Sequence, residues 1–116
     1  MSQYCMVLTT VDSQANAELI AQSLLREKLA ACVQIQPIES YYSWQGGIEH
    51  QAELMLRIKT RCDCYERLQQ HLLKIHPYDV PQIIQVPIMT GLPDYLAWLD
   101  ENCLATGTNN EQQFSE

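Results

Sequence analysis

Hydrophobic and polar positions alternate along this chain with two periods, and the switches between them mark its elements. Residues 3–11 read Gln-Tyr-Cys-Met-Val-Leu-Thr-Thr-Val, a run of strand formers, and Asp12 or Ser13 can then cap a helix. Ala17, Ile20, Ala21 and Leu24 fall on one helical face, with Arg26 and Lys28 in the last turn, where cations complement the helix dipole. From Cys32 to Trp44 the period returns to two, with Val33 and Ile35 on one parity and Ile38, Tyr42 and Trp44 on the other. The phase changes at Pro37, which cannot donate to a ladder, so a bulge or bend is expected there. Gln45-Gly46-Gly47 reads as a tight turn, after which Ile48, Ala52, Leu54, Leu56 and Ile58 alternate with Glu49, Gln51, Glu53, Arg57 and Lys59. A second helix from about Cys62 to Ile75 places Tyr65, Leu68, Leu72 and Ile75 on one face, and Pro77 stops it. Gln82 to Met89 then reads as a strand, and Pro93 opens a short helix whose Tyr95, Trp98 and Leu99 can dock on a sheet.

That order, βαββαβ with a terminal helix, predicts an α+β, ferredoxin-like sandwich in which two helices cover one face of an antiparallel sheet. Residues 1–103 form a single domain in this reading. Residues 104–116, which contain Gly-Thr-Asn-Asn and Glu-Gln-Gln with Phe114 as the one large aromatic residue, are expected to be a disordered tail. Both central strands exceed the usual length of roughly 5–6 residues. Their hairpin should therefore overhang the body, and Tyr41, Tyr42 and Trp44 on it need a cover.

Charge narrows the function. Seven Lys and Arg stand against fourteen Asp and Glu in 116 residues, a formal charge of −7, which argues against a nucleic-acid partner and fits a cationic one. Met1 to Val11 lacks a positive n-region and no segment approaches transmembrane length, so a soluble, cytoplasmic protein with no membrane partner is expected. Five cysteines, an odd number at irregular spacing, suit reduced thiols in such a compartment better than a disulfide framework. Cys62-Asp63-Cys64 is too closely spaced for the usual zinc knuckle and sits where a helix begins. Neither a Gly-rich phosphate loop, a nucleophile elbow nor a metalloprotease helix is present, and the expectation is that the protein is not an enzyme.

Two stretches carry the candidate chemistry. Glu27-Lys28-Leu29-Ala30-Ala31-Cys32-Val33 and His76-Pro77-Tyr78-Asp79-Val80-Pro81 each leave a helix C-terminus, one bearing a thiol and the other an imidazole. These are the side chains best suited to copper or zinc. Together with Tyr42-Ser43-Trp44-Gln45-Gly46-Gly47-Ile48-Glu49, Ile58-Lys59-Thr60 and Asp94-Tyr95-Leu96-Ala97-Trp98-Leu99, in this order and spacing, they resemble the CutA divalent-cation tolerance proteins over nearly the whole body. The resemblance implies a homotrimer architecturally similar to the PII signalling proteins and a link to copper or other divalent ions. It implies a metal site at Cys32 and His76 near subunit boundaries, and a small-ligand pocket around Glu53, Lys59, Tyr78 and Tyr95. Gln82 departs from the glutamate common in the family after the Val-Pro pair, which removes a carboxylate that could support a metal, and Gly47 departs from a lysine near the turn.

Each of these residues also has a structural reading. Cys32 can pack as a small hydrophobe, His76 can cap its helix, and Lys59 can be a solvated strand residue. Tyr42, Trp44 and Trp98 read as core or interface anchors. Two functions follow: a cytosolic trimeric protein that binds divalent metal, chiefly copper, in metal tolerance or response; or a PII-like sensor or scaffold whose clefts bind an unidentified small anion and report to a protein partner.

Overall fold

The computed structural model describes residues 2–104, so most of the expected tail lies outside the described residues. The chain runs β1 (Tyr4–Val11), α1 (Gln14–Arg26), β2 (Cys32–Trp44), β3 (Gly47–Arg61), a 3-10 turn (Cys62–Cys64), α2 (Tyr65–Ile75), β4 (Ile84–Ile88) and α3 (Pro93–Glu101). Ser13, rather than Asp12, caps α1: its Oγ accepts the Asn16 N–H at 3.1 Å. The helix ends in a left-handed turn at Lys28, whose φ is 60°. There the Leu29 N–H reaches Leu24 O at 3.0 Å and the Lys28 N–H reaches Leu25 O at 3.1 Å, with Leu24 and Leu29 both buried, so the last carbonyls are satisfied and chain direction reverses into β2.

The four strands pair antiparallel in the order β2-β3-β1-β4, confirming the α+β, ferredoxin-like plan. Strand alternation sorts residues onto two faces. Cys5, Val7, Thr9 and Val11 of β1, Leu56, Ile58 and Thr60 of β3, and Val33 and Ile35 of β2 point toward α1 and α2, where Ile20, Leu24, Leu68 and Leu72 complete the core. The opposite face carries Cys32, Ile38, Tyr42 and Trp44 of β2 with Glu53, Arg57 and Lys59 of β3. At one end α3 crosses this second face: Asp100 accepts from the Tyr4 phenol at 2.7 Å and from Arg61 at 2.8 Å, and Leu99 is fully buried.

Three local expectations need correction. No bulge occurs at Pro37, because the β2–β3 register runs unbroken from Cys32↔Lys59 through Pro37↔Leu54 to Trp44↔Gly47. Burial nevertheless changes parity there: Val33 and Ile35 lie under the helices, whereas the strand beyond Pro37 has left the helix layer and Ile38 and Ser40 take the half-buried positions. As a member of the edge strand, β2 tolerates the missing donor. The turn needs only two residues, Gln45 and Gly46 with φ of 49° and 82°, the doubly positive pattern that matches strand twist; Gly47 already belongs to β3. Finally, Leu104 belongs to the body rather than the tail, its N–H donating to Lys28 O at 2.9 Å. The resulting molecule measures 52 × 30 × 23 Å, elongated along the overhanging hairpin.

Candidate functional site

The His76–Pro81 stretch is shaped by its prolines. α2 cannot continue past Pro77, so His76 turns extended (φ −75°, ψ 135°) while its N–H still reaches Leu72 O at 2.8 Å. Its imidazole then turns toward the sheet. Nε2 lies 3.0 Å from the Oγ1 of the fully buried Thr9, and Nδ1 accepts the Tyr78 N–H at 3.1 Å. An acceptor at Nδ1 makes Nε2 the protonated nitrogen, so the neutral ring is satisfied at both ends. Burial holds its pKa below the ordinary value, against smaller opposing contributions from the Thr10 backbone and the carboxylates of Asp12 and Glu53.

Two residues on, Tyr78 packs its ring 5.0 Å from that of His76 and donates its phenol to Glu53 Oε2 at 2.6 Å. Burial first, and the Glu53 carboxylate second, push the phenol pKa above its usual range, so Tyr78 is a fixed donor and not a base. The contact ties the loop after α2 to β3 and forms one side of a cleft of about 810 Å³ against the hairpin, with Tyr41, Tyr42 and Trp44 on the other side and Glu39, Glu53 and Asp79 supplying negative charge. The hairpin itself is braced by Tyr42, which donates to Gln51 at 2.8 Å, by stacking of Tyr41 on His50 at 4.2 Å, and by a His50–Glu39 contact.

A second cluster lies at the other end of the same sheet face. Lys59 Nζ stands 5.5 Å over the Tyr95 ring, Tyr95 stacks on Trp98 at 5.7 Å, and half-buried Cys32 is the cross-strand partner of Lys59. The four expected pocket residues thus form two pairs, Glu53 with Tyr78 and Lys59 with Tyr95. Six strand residues, about 20 Å at ~3.3 Å each, separate Glu53 from Lys59. The expected metal pair is likewise divided. Cys32 is on the face crossed by α3, whereas His76 bonds to Thr9 on the helix-covered face, so the sheet lies between them within a subunit. Among the described residues no group of three or more His, Cys, Asp or Glu could hold a metal ion, and Cys32 and His76 do not fit a shared metal in one chain.

A model of the CutA1 divalent ion tolerance protein family matches residues 5–102. The chain belongs to the CutA1 family. Over 97 residues it is 44% identical to the divalent-cation tolerance protein CutA of Thermus thermophilus, spanning 83% of this chain and 94% of that one. It is 45% identical over 94 residues to the chloroplastic protein CutA of Arabidopsis thaliana, covering 80% of this chain and 52% of that protein. The crystal structure of CutA1 from Oryza sativa superposes with a TM-score of 0.85 at 41% identity, over 88% of this chain and 94% of the rice chain. Within this CutA1 chain, sequence reasoning missed Thr9, the partner that fixes the His76 ring. Its signal was a hydroxyl alternating with Val7 and Val11 on an otherwise apolar strand face, a position that calls for a buried hydrogen-bond partner.

Proposed function

We propose that the protein acts by binding rather than by catalysis, as a cytosolic homotrimer that takes up copper through Cys32 in the divalent-cation tolerance for which its family is named. The observation that carries this reading is the position of Cys32: a half-buried soft donor at the start of the edge strand, on the sheet face that α1 and α2 leave uncovered. One thiol is too few ligands for a stable site, so the remaining donors come from another subunit, water or both. His76 is assigned a structural role, since both of its nitrogens are engaged within the chain.

Assembly is supported by the large apolar side chains that a single subunit leaves open, among them Trp44 on the hairpin, Trp98 on α3, Ile48 at 80% exposure and Met89 at 92%. A reducing, cytosolic setting is supported by five free cysteines. No helix among the described residues is long and apolar enough to cross a membrane. Calorimetric titration with copper tests the assignment: Cys32→Ser should abolish the tight phase, and His76→Ala should leave its stoichiometry intact. Unchanged binding in Cys32→Ser would remove copper from this reading.

The sensor alternative has its own support in the cleft between the hairpin and residues 76–82. Its carboxylates disfavour the small anion first considered and suit a neutral or cationic ligand. A ligand response that persists in Cys32→Ser, reported to a protein partner, would establish this second reading.

A further inference from the structure

Four of the five cysteines gather at the sheet end opposite the hairpin, the end that also carries Cys32 and Lys59. Cys5 pairs across the ladder with Thr60, Cys62 and Cys64 form the turn that opens α2, and Cys103 lies just beyond α3. Fully buried Cys5 interacts with Cys62 and Cys103. The Cys64 and Cys103 thiols are neighbours, Cys64 reaching the carbonyl of the residue that follows Cys103, and each shifts the other's ionisation. Cys64 is buried and its S–H also donates to Leu104 O at 2.8 Å. Cys103 is only half-buried, with Sγ 3.7 Å from Thr60 Oγ1, and both the backbone N–H and the guanidinium of Arg61 act on it. Partial exposure, hydrogen-bond donors and a nearby cation are the surroundings of a reactive thiolate; Cys64 also has a cation beside it, Arg67 Nη2 donating to its sulfur at 3.8 Å, but burial closes it off from a reagent in solution. The electrostatic surroundings agree with the geometry. The Cys64 S–H first, then Thr60 and Arg61, bring Cys103 down to about 7 against the opposing effect of burial. Contact with Cys103 and burial push Cys64 up.

We propose that Cys103 and Cys64 form a peroxide-sensitive pair, with Cys103 as attacking thiolate and Cys64 as resolving thiol, whose oxidation ties the segment after α3 to the 3-10 turn that precedes α2. The Cys103 sulfur attacks one oxygen of hydrogen peroxide, the O–O bond breaks, and the departing hydroxide takes a proton to leave as water. Cys103 is then a sulfenic acid. The Cys64 sulfur attacks the sulfenic sulfur, the S–O bond breaks, and the Cys64 proton converts the expelled hydroxide into a second water. Two thiols lose two electrons to one peroxide. Leu104 O loses the Cys64 donor but keeps Arg67, 3.1 Å away, and Cys103 lies outside helix and strand, so its segment is able to adjust as the sulfurs close to bonding distance.

Treating the full chain with a few equivalents of hydrogen peroxide in the presence of a chelator, then blocking free thiols and mapping peptides by mass spectrometry, tests this directly. Expected is a Cys64–Cys103 cross-linked peptide and an intact-mass loss of about 2 Da per chain. Cys64→Ser should instead accumulate sulfenic acid on Cys103, trapped by dimedone, and Cys103→Ser should leave Cys64 reduced. A disulfide from Cys103 to Cys5 or Cys62, prior oxidation of Cys32, or no disulfide at all would overturn the proposal. The unsubstituted protein offers a check independent of folding in the variants. The alkylation rate of Cys103 should rise with a midpoint near pH 7, and a midpoint at the ordinary thiol value of about 8.5 would contradict it.

Discussion

Replacing Thr9 by valine isolates the contact that distinguishes a structural His76 from a ligand. Thr9 is fully buried, and its hydroxyl oxygen is the partner of His76 Nε2 at 3.0 Å. Valine preserves most of the shape and removes the acceptor, so the Nε2–H must find water or go unpaired. A neutral hydrogen bond contributes about 0.5–1.5 kcal/mol, and an orphaned buried donor costs about 1–3 kcal/mol. The Thr9 side of the contact is dry, but half-buried His76 can turn partly to solvent, which places the cost in the lower part of that range, about 1–2 kcal/mol per subunit. His76→Leu removes the donor as well, so the double variant should recover about 1 kcal/mol relative to the sum of the single changes. Urea unfolding at fixed subunit concentration measures all four corners, since assembly makes stability concentration-dependent. A coupling below about 0.3 kcal/mol, the level at which independent sites already add, would show that the contact carries no energy and that His76 is free to serve a metal.

Three further outcomes are expected. Because burial lowers the His76 pKa in the folded state, the unfolded chain takes up the proton first; stability should fall as pH drops below about 6.5 until the native value is passed, and His76→Leu should flatten urea midpoints across that window. Trp44→Asp, on a hairpin residue 56% exposed in the single chain, should lower the mass seen by light scattering below that of the parent, and an unchanged mass would remove the hairpin from the contact. Ending the chain after Leu104 should leave the melting temperature unchanged, whereas ending it after Cys103 should lower it by several degrees, because the Leu104 carbonyl accepts from Cys64 and Arg67; equal melting temperatures would show that these bonds contribute nothing.

Periodicity carried most of the fold, because each element buries a face and burial writes its period into the residues. Val33 and Ile35 against Leu54, Leu56 and Ile58 declared a hairpin, and Leu68, Leu72 and Ile75 declared α2. Pro37 misled because a change of burial parity has two causes: a slipped register, or a straight strand passing from under one layer to another, as here. Half of the site was similarly legible. Tyr78 after the His-Pro turn and Glu53 on a polar strand stripe do meet, but nothing local reveals which face of the sheet a residue past a helix C-terminus will reach. His76 is sent to the Thr9 side while Cys32 follows strand alternation to the other, a division made by tertiary path alone. The cysteine gathering was hidden for the same reason: Cys5, Cys64 and Cys103 are distant in sequence and converge only when β1, the turn before α2 and the end of α3 pack at one end of the sheet.

Native mass spectrometry of protein purified without added metal and then titrated with copper bears most directly on the proposed role, since one spectrum counts both subunits and ions. Expected is an assembly of three 13.3 kDa subunits that gains copper in the parent and in His76→Ala but not in Cys32→Ser. A monomer, or equal copper uptake by the trimer of Cys32→Ser, would contradict it.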